Sequence, residues 1–302
     1  GQTLMPGFID VHVHGAMMHD TMHATREALQ TMAMFYAAHG VTAFLATTWT
    51  DSRARIDAAL HAVKDNLGAM PNGATLVGAH VEGPYLNPAK CGAQNLAEIR
   101  RADRDEANVW LEVGVVRLIS IAPEYPENLW LIEACHQSGV TVSVAHTAAT
   151  YDDIQRAVSL GLTHSTHTFN AQTPLNHRDP GVVGAVLDNP RIRCELIADN
   201  IHVHPAAMRL LWKLKGRDGV ILISDAVLPA GMPDGTYALD TREVMVKEGA
   251  VRLPDGTLAG STLTLDRALA NFKAATGEPL ESLWPCVSLN AARAIGLAHR
   301  KG

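Results

Sequence analysis

Six residues of this sequence have types and positions that could do chemistry: His12 and His14 in FIDVHVHGAMMHD, Glu82 in GAHVEGPYL, His146 in VSVAHT, His167 in LTHSTHTFNAQ and Asp225 in VILISDAV. All six are candidate metal ligands, and the carboxylates and imidazoles among them also move protons. His12 and His14 are two apart and share one face of a strand, where two neutral imidazoles aimed inward can offer nitrogen to one divalent ion. Read alone, that pair could equally be two polar residues closing a buried strand. Four more ligand-type residues at equivalent strand ends favour the metal reading. Glu82 closes an apolar strand, and a buried carboxylate there needs a partner cation to stay ionised. His80 shares the face of Glu82 and reads as either a supporting residue or core. His164, three before His167, faces the other way and reads as structural. Asp225 ends a strand so apolar that an unpartnered carboxylate would be costly. A divalent ion beside an aspartate suits metal-assisted hydrolysis, in which the ion activates a water and polarises a carbonyl while the carboxylate moves the protons. No serine or cysteine is framed as a nucleophile: Ser224 lacks a GxSxG elbow, and Cys91 has no histidine beside it in sequence.

These residues must be placed by something, and the chain supplies a regular alternation. Eight β-rich runs, at residues 8–14, 42–49, 75–82, 116–122, 141–146, 162–169, 193–199 and 220–225, are separated by segments that are mostly of helical period, such as 25–39, 52–67, 128–138 and 151–160. That pattern predicts an α/β fold, a (β/α)8 barrel, in which function collects at the C-terminal ends of the strands. All six chemical residues fall at those ends. Two stretches break the alternation. Residues 86–107 form a loop too long for a simple connection, which marks it as functional. Residues 235–265 carry short alternating runs around Asp255 and Gly256, which predicts a hairpin.

The bulk numbers agree with a metabolic enzyme. At 302 residues, 47% hydrophobic and 19% charged, the chain is globular and is expected to form one domain over 1–302. A net charge of -6 without basic runs argues against nucleic acid or an anionic membrane as partner. Four cysteines far apart, with no CxxC, fit a reducing cytoplasm rather than a disulfide framework. No apolar run approaches the ~18 residues of a membrane helix.

The motifs PGFIDVHVHG, HVEGPYLNPAKCGAQN, VAHTAAT, THTFNAQTPLNHRDPG, LIADNIHVHP, ISDA and LAGSTLTLDRAL follow one another across nearly the whole chain. In this order they resemble the amidohydrolase superfamily and, with Glu on the third strand, its N-acetylglucosamine-6-phosphate deacetylase family. The resemblance implies a metal-dependent deacetylase of an amino-sugar phosphate, with Zn or Fe, one or two ions per chain. Glu82, His146 and His167 would hold the main ion, His12 and His14 a second, and Asp225 would be the acid/base residue. Ala93, Gln94, Asn170, Ala171, Arg178, His202 and the segment Leu258, Ala259 and Gly260 match substrate-contacting positions, with His177 beside Arg178 on the loop after strand six. In that family the matching arginine can come from a neighbouring subunit, so a homodimer is implied. Gln94 stands where many members have His. Asn200 replaces a usual glycine, which suits a residue that tolerates left-handed backbone. AMMHD replaces a glycine-rich turn. The family also carries a small β-sandwich, and a chain running from Gly1 into a core strand and ending at HRKG reads as lacking most or all of it. The rival readings are another amidohydrolase acting on a related sugar or cyclic amide, or a truncated barrel that binds metal or sugar phosphate without turnover.

Overall fold

The computed structural model describes residues 4–239 and 242–301. Eight parallel strands, β1 (Phe8–Val13), β2 (Val41–Thr48), β3 (Thr75–Glu82), β4 (Val116–Ile121), β5 (Thr141–Val144), β6 (His164–Ser165), β7 (Arg193–Ile197) and β8 (Val220–Ile223), lie side by side in sequence order. Helices fill most of the crossovers: α1 (Arg26–Ala38), α2 (Arg53–Asp65), α3 (Arg104–Val113), α4 (Pro126–Gln137), α5 (Tyr151–Leu160), α6 (Gly181–Asp188) and α7 (Pro205–Gly219), with α8 (Leu265–Thr276) further on. Local chemistry sets their limits. The Thr25 side chain accepts from the Ala28 N–H to start α1, Thr150 and Asp153 form a capping box at α5, and Asp103 and Gly114 bracket α3. Because such a sheet is covered on both faces, its strands are nearly continuous apolar runs, and Val11, Phe44, Leu45, Val81, Ile121, Val144, Leu196 and Ile223 are all buried.

The barrel closes between β1 and β8 just beyond the last strand. Val13 bridges Ala226 in parallel, the His14 and Gly15 N–H groups donate to the Ala226 carbonyl at 2.8 and 3.0 Å, and the Asp225 N–H donates to the His12 carbonyl at 3.0 Å. Lower down, the buried Asp10 carboxylate accepts from the Ser224 N–H at 3.3 Å.

Three expectations need correction. The sixth strand is two residues long instead of eight, because the chain turns left-handed at His167 (φ 31), Phe169 (φ 85) and Ala171 (φ 52) and leaves the ladder. The fifth, seventh and eighth strands also stop two residues early. The hairpin region is larger than expected: β9 (Gly235–Leu239), β10 (Arg242–Lys247), β11 (Ala250–Arg252) and β12 (Leu258–Ser261) make a four-stranded antiparallel sheet with its own core of Leu239, Val244, Val246, Val251 and Ala259. The last residue of its TYALD run, Asp240, lies outside the described residues. The Asp255 and Gly256 turn is present, joining β11 to β12, with Gly256 at φ 90. Finally, α3 begins at Arg104, so the long loop ends at 103 and contains two short 3-10 turns, Pro88–Lys90 and Leu96–Glu98.

That loop is held by one buried amide. Asn128 of α4 donates to the Tyr85 and Ala122 carbonyls at 3.1 and 2.9 Å and accepts from the Ala102 N–H at 2.9 Å. Each buried polar group left unpaired costs about 1–3 kcal/mol. Asn128→Ala is therefore expected to lower stability by at least about 2 kcal/mol in urea unfolding and to expose the loop to proteolysis.

Candidate metal centre and substrate cavity

At the C-terminal end of the barrel the six chemical residues converge, all buried: His12 0%, His14 1%, Glu82 1%, His146 6%, His167 5% and Asp225 8% exposed. Glu82 is at the centre. Its Oε1 lies 3.1 Å from His167 Nε2, 3.5 Å from His12 Nε2 and 3.6 Å from His146 Nε2, and its Oε2 lies 3.1 Å from His14 Nε2. Asp225 Oδ1 is 3.4 Å from His12 Nε2 and 3.5 Å from His14 Nε2. The donor atoms of His12, His14 and Glu82 lie within 4.8 Å of one another, and so do those of Glu82, His146 and His167. Glu82 is shared by both sets.

The donor set fits a divalent cation. His12 Nε2 and His14 Nε2 are 3.3 Å apart, and His146 Nε2 and His167 Nε2 are 3.1 Å apart. Two ring nitrogens so close need a proton or a cation between them. The electrostatics ask for positive charge as well. Burial alone would push Glu82 up, but the charge of His12 and hydrogen bonds from His12, His14 and His146 hold it well below the usual carboxylate range. Burial opposes the charged form of His12, yet Glu82, Asp225 and Glu195 raise it well above an ordinary imidazole. A metal ion would answer the same field.

Several of these residues leave the strand before they reach the site. His146 (φ 42), His167 (φ 31) and Asp225 (φ 51) all sit in left-handed backbone just past β5, β6 and β8. That conformation is costly for residues with a Cβ and persists where the surroundings over-determine it. Asp225 is held on both sides, its N–H on the His12 carbonyl and its carbonyl accepting from the Ser261 N–H at 2.8 Å. Gly260, beside Ser261 on β12, has φ 63, and a Cβ there would meet Val227 Cγ1 at 2.3 Å and the Asp225 carbonyl oxygen at 2.9 Å. Only glycine lets β12 run this close to the aspartate.

Behind the ligands stand residues that sequence reasoning missed. Glu195 on β7, fully buried, accepts from His12 Nδ1–H across 3.1 Å, the carboxylate–histidine arrangement that orients metal ligands. The signal was present in RCELIAD, where a glutamate sits between the apolar Cys194 and Leu196 in mid-strand. His146 Nδ1 is 2.8 Å from the Lys90 carbonyl, and the Asn87 N–H donates to the His146 carbonyl at 2.9 Å, so the long loop fixes that ring. Trp49, just past β2, stacks on His14. His80 lies one layer deeper: its Nε2 meets Ser120 Oγ at 2.7 Å, which continues to Thr166 and Ser143, and burial keeps the ring neutral. His164 is buried beside Thr163, its basicity pushed down to about 3 by burial and by Arg193, as befits a structural histidine.

A cavity of about 340 Å³ opens over the centre. Of the expected substrate contacts, Ala93, Gln94, Asn170, Ala171, His202, Leu258 and Gly260 line it. Ala259 does not, because side chains alternate along β12 and its methyl is buried in the core of the small sheet. His177 and Arg178 are exposed on the loop after β6 and lie outside the cavity. Gln94 is already engaged: its carbonyl accepts from the Thr50 N–H at 2.8 Å and its amide donates to Glu82 Oε2 at 2.7 Å. His202 is oriented by Asp199, Nδ1 to Oδ2 2.6 Å, which leaves Nε2 as the nitrogen open to a ligand. Lys90 is the lysine or arginine that lines the cavity among the described residues, and the sequence reading passed over it. Asn200 does adopt left-handed backbone, φ 67.

Comparison with known proteins gives this geometry a family. The family model described as the amidohydrolase family matches residues 3–302, and the chain belongs to that family. Within it, the chain is 40% identical to the N-acetylglucosamine-6-phosphate deacetylase of Lysinibacillus sphaericus, over 99% of this chain and 78% of that one. It is 38% identical to the N-acetylgalactosamine-6-phosphate deacetylase of Escherichia coli O157:H7, over 98% and 79%. Among solved structures, the N-acetyl-D-glucosamine-6-phosphate deacetylase of Mycobacterium smegmatis in complex with N-acetyl-D-glucosamine-6-phosphate superposes with a TM-score of 0.91 at 33% identity, covering 97% of this chain and 78% of that one.

Histidines must be neutral to hold a cation. Because His12 is raised above the ordinary imidazole and Glu82 is depressed, acid is expected to release cation through His12 protonation long before Glu82 titrates. Glu195→Gln should weaken cation binding by about 10–100-fold. Equilibrium dialysis with a competing chelator, repeated from about pH 8 down to pH 5, reads both effects.

Proposed function

We propose that this chain hydrolyses the acetamide of N-acetylglucosamine 6-phosphate to glucosamine 6-phosphate and acetate. The observation that carries the proposal is the convergence of Glu82 and four imidazoles beside Asp225 at the floor of a cavity large enough for a sugar phosphate. The sequence similarity to deacetylases of this substrate over almost the full chain supports it.

Glu82, His146 and His167 would hold the main ion and His12 and His14 a second, with zinc or iron suited to imidazole and carboxylate donors alike. Such an ion, when bound, would supply Lewis-acid polarisation of the acetyl carbonyl and a water of lowered pKa. The residues of the chain do the rest. Asp225, aimed at the same point and fixed through its own backbone, takes a proton from the attacking water and delivers it to the sugar nitrogen as the carbon–nitrogen bond breaks. His202, Asn170 and the backbone at Ala171 and Ala93 orient the sugar. Lys90 supplies a permanent positive charge for the phosphate. Arg178 and His177, exposed outside their own cavity, support a homodimer in which they reach a neighbouring copy. Four free cysteines support a reducing, cytoplasmic setting. No helix among the described residues is long and apolar enough to cross a membrane.

Acetate release by the purified chain with added zinc or iron tests the function directly. Chelation should abolish turnover and metal restore it, while Asp225→Asn should lose about 10²–10⁴-fold in kcat. Absence of release from the wild type under every metal would sink the reading. The similarity to a deacetylase of the C4 epimer makes N-acetylgalactosamine 6-phosphate the second substrate to measure, and the higher kcat/KM decides between the two.

Lys90→Gln is expected to raise KM for the phosphorylated sugar by about 10–100-fold and to leave an unphosphorylated analogue unchanged. Arg178→Ala should show the same signature if copies share a site, and equal effects on both sugars would remove either residue from phosphate binding.

A further inference from the structure

The four imidazoles are not held alike. His12 is fixed from behind by Glu195 and His146 by the Lys90 carbonyl. The Nδ1 of His14 and that of His167 are both buried without a hydrogen-bond partner, and His167 instead meets the His146 ring edge-on, centroids 4.9 Å apart. A ligating ring without that bond needs another restraint, since ring orientation sets how well the opposite nitrogen binds.

The restraint in this molecule is aromatic. Trp49 lies flat on His14, ring centroids 4.0 Å apart and planes 23° from parallel. Its indole cannot slide, because Nε1–H donates to Asp20 Oδ2 at 3.0 Å. The other oxygen of Asp20 accepts from the Met22 N–H at 2.8 Å. Asp20 in turn belongs to the turn that follows His14 directly: Gly15 pairs with Asp20 and Ala16 with His19. Met17 (φ 53) and Met18 (φ 64) form the tip, and their N–H groups donate to the Ala230 and Leu228 carbonyls, each at 2.8 Å. The contacts close a ring, from His14 through the hairpin to Asp20, to Trp49 and back to His14.

We propose that Asp20 and Trp49 clamp the plane of His14 and thereby decide whether the His12 and His14 half of the site retains a second divalent cation. The proposal rests on the reading of this cluster as a metal centre, and it makes Trp49 a positioning residue. Stacking restrains tilt while leaving Nε2 free. In the half built from Glu82, His146 and His167, the Lys90 carbonyl holds His146 and edge contact with the His146 ring restrains His167, so that half is supported without Trp49.

The test counts cobalt(II) or zinc ions per chain on metal-free protein reloaded by equilibrium dialysis, with affinities from chelator competition. Wild type is expected to hold two ions of unequal affinity. Trp49→Leu should weaken the looser ion about 10–100-fold, so that one ion per chain survives dialysis, with the tighter ion unchanged. Trp49→Phe keeps an aromatic face but loses the bond to Asp20, and should fall between the two. If Trp49→Leu does not fold, as judged by circular dichroism and thermal midpoint, Trp49→Phe alone decides. The proposal is overturned if wild type binds one ion, if the variants bind two as tightly as wild type, or if both ions weaken equally. Failure of acetate release from wild type would count against the proposed function and leave these counts standing.

Discussion

A carboxylate that is 1% exposed, surrounded by four imidazole nitrogens, is the constraint around which the rest of this molecule is arranged. Taking Glu82 out of water is expensive unless its charge is met at short range. Each neighbour that meets it must be held where side-chain freedom would otherwise carry it away. The barrel does this by bringing the ends of β1, β3, β5, β6 and β8 to one point, and by lending β2 and β7 to the supporting residues Trp49, Thr50 and Glu195.

Holding the residues there has a local cost. His146, His167 and Asp225 adopt backbone that side chains rarely take, at about 1–3 kcal/mol each. The cost is tolerated because hydrogen bonds from elsewhere leave little alternative: Asn87 and Lys90 on His146, Asn170 on the His167 carbonyl, His12 and Ser261 on Asp225. A regular strand would point these side chains across the barrel. The sharp exit turns them toward one another.

This explains what could be read in advance. Alternation of strand and helix patterns was enough for the barrel, because a covered parallel sheet writes itself as short apolar runs. All six chemical residues were visible for the same reason, being polar residues at the ends of such runs. The lengths of the fifth, sixth and eighth strands were not visible, since the left-handed turns at His146, His167 and Asp225 carry no glycine to announce them. Glu195 was passed over because it sits inside a strand instead of at its end, and Trp49 because an aromatic at a strand end looks like core. Lys90 hid in a loop whose path is set by contacts distant in sequence, those of Asn128 and of His146 among them. His177 and Arg178 share a loop with the cavity residues Asn170 and Ala171, yet a shared loop says nothing about which way its far end faces.

β12 belongs to two structures at once. It is an edge of the four-stranded sheet, and through Leu258 and Gly260 it is also a wall of the cavity, while every side chain that could hold an ion comes from the barrel strands or the turns that follow them. Part of the cavity wall is therefore carried by a length of chain outside the barrel, while most of the rest comes from the loops that follow the ligand-bearing strands. A change at Leu258 alters only that wall, whereas a change at Gly260 or Ser261 reaches Asp225 through the backbone. The strand that shapes the cavity thus also fixes the aspartate beneath it.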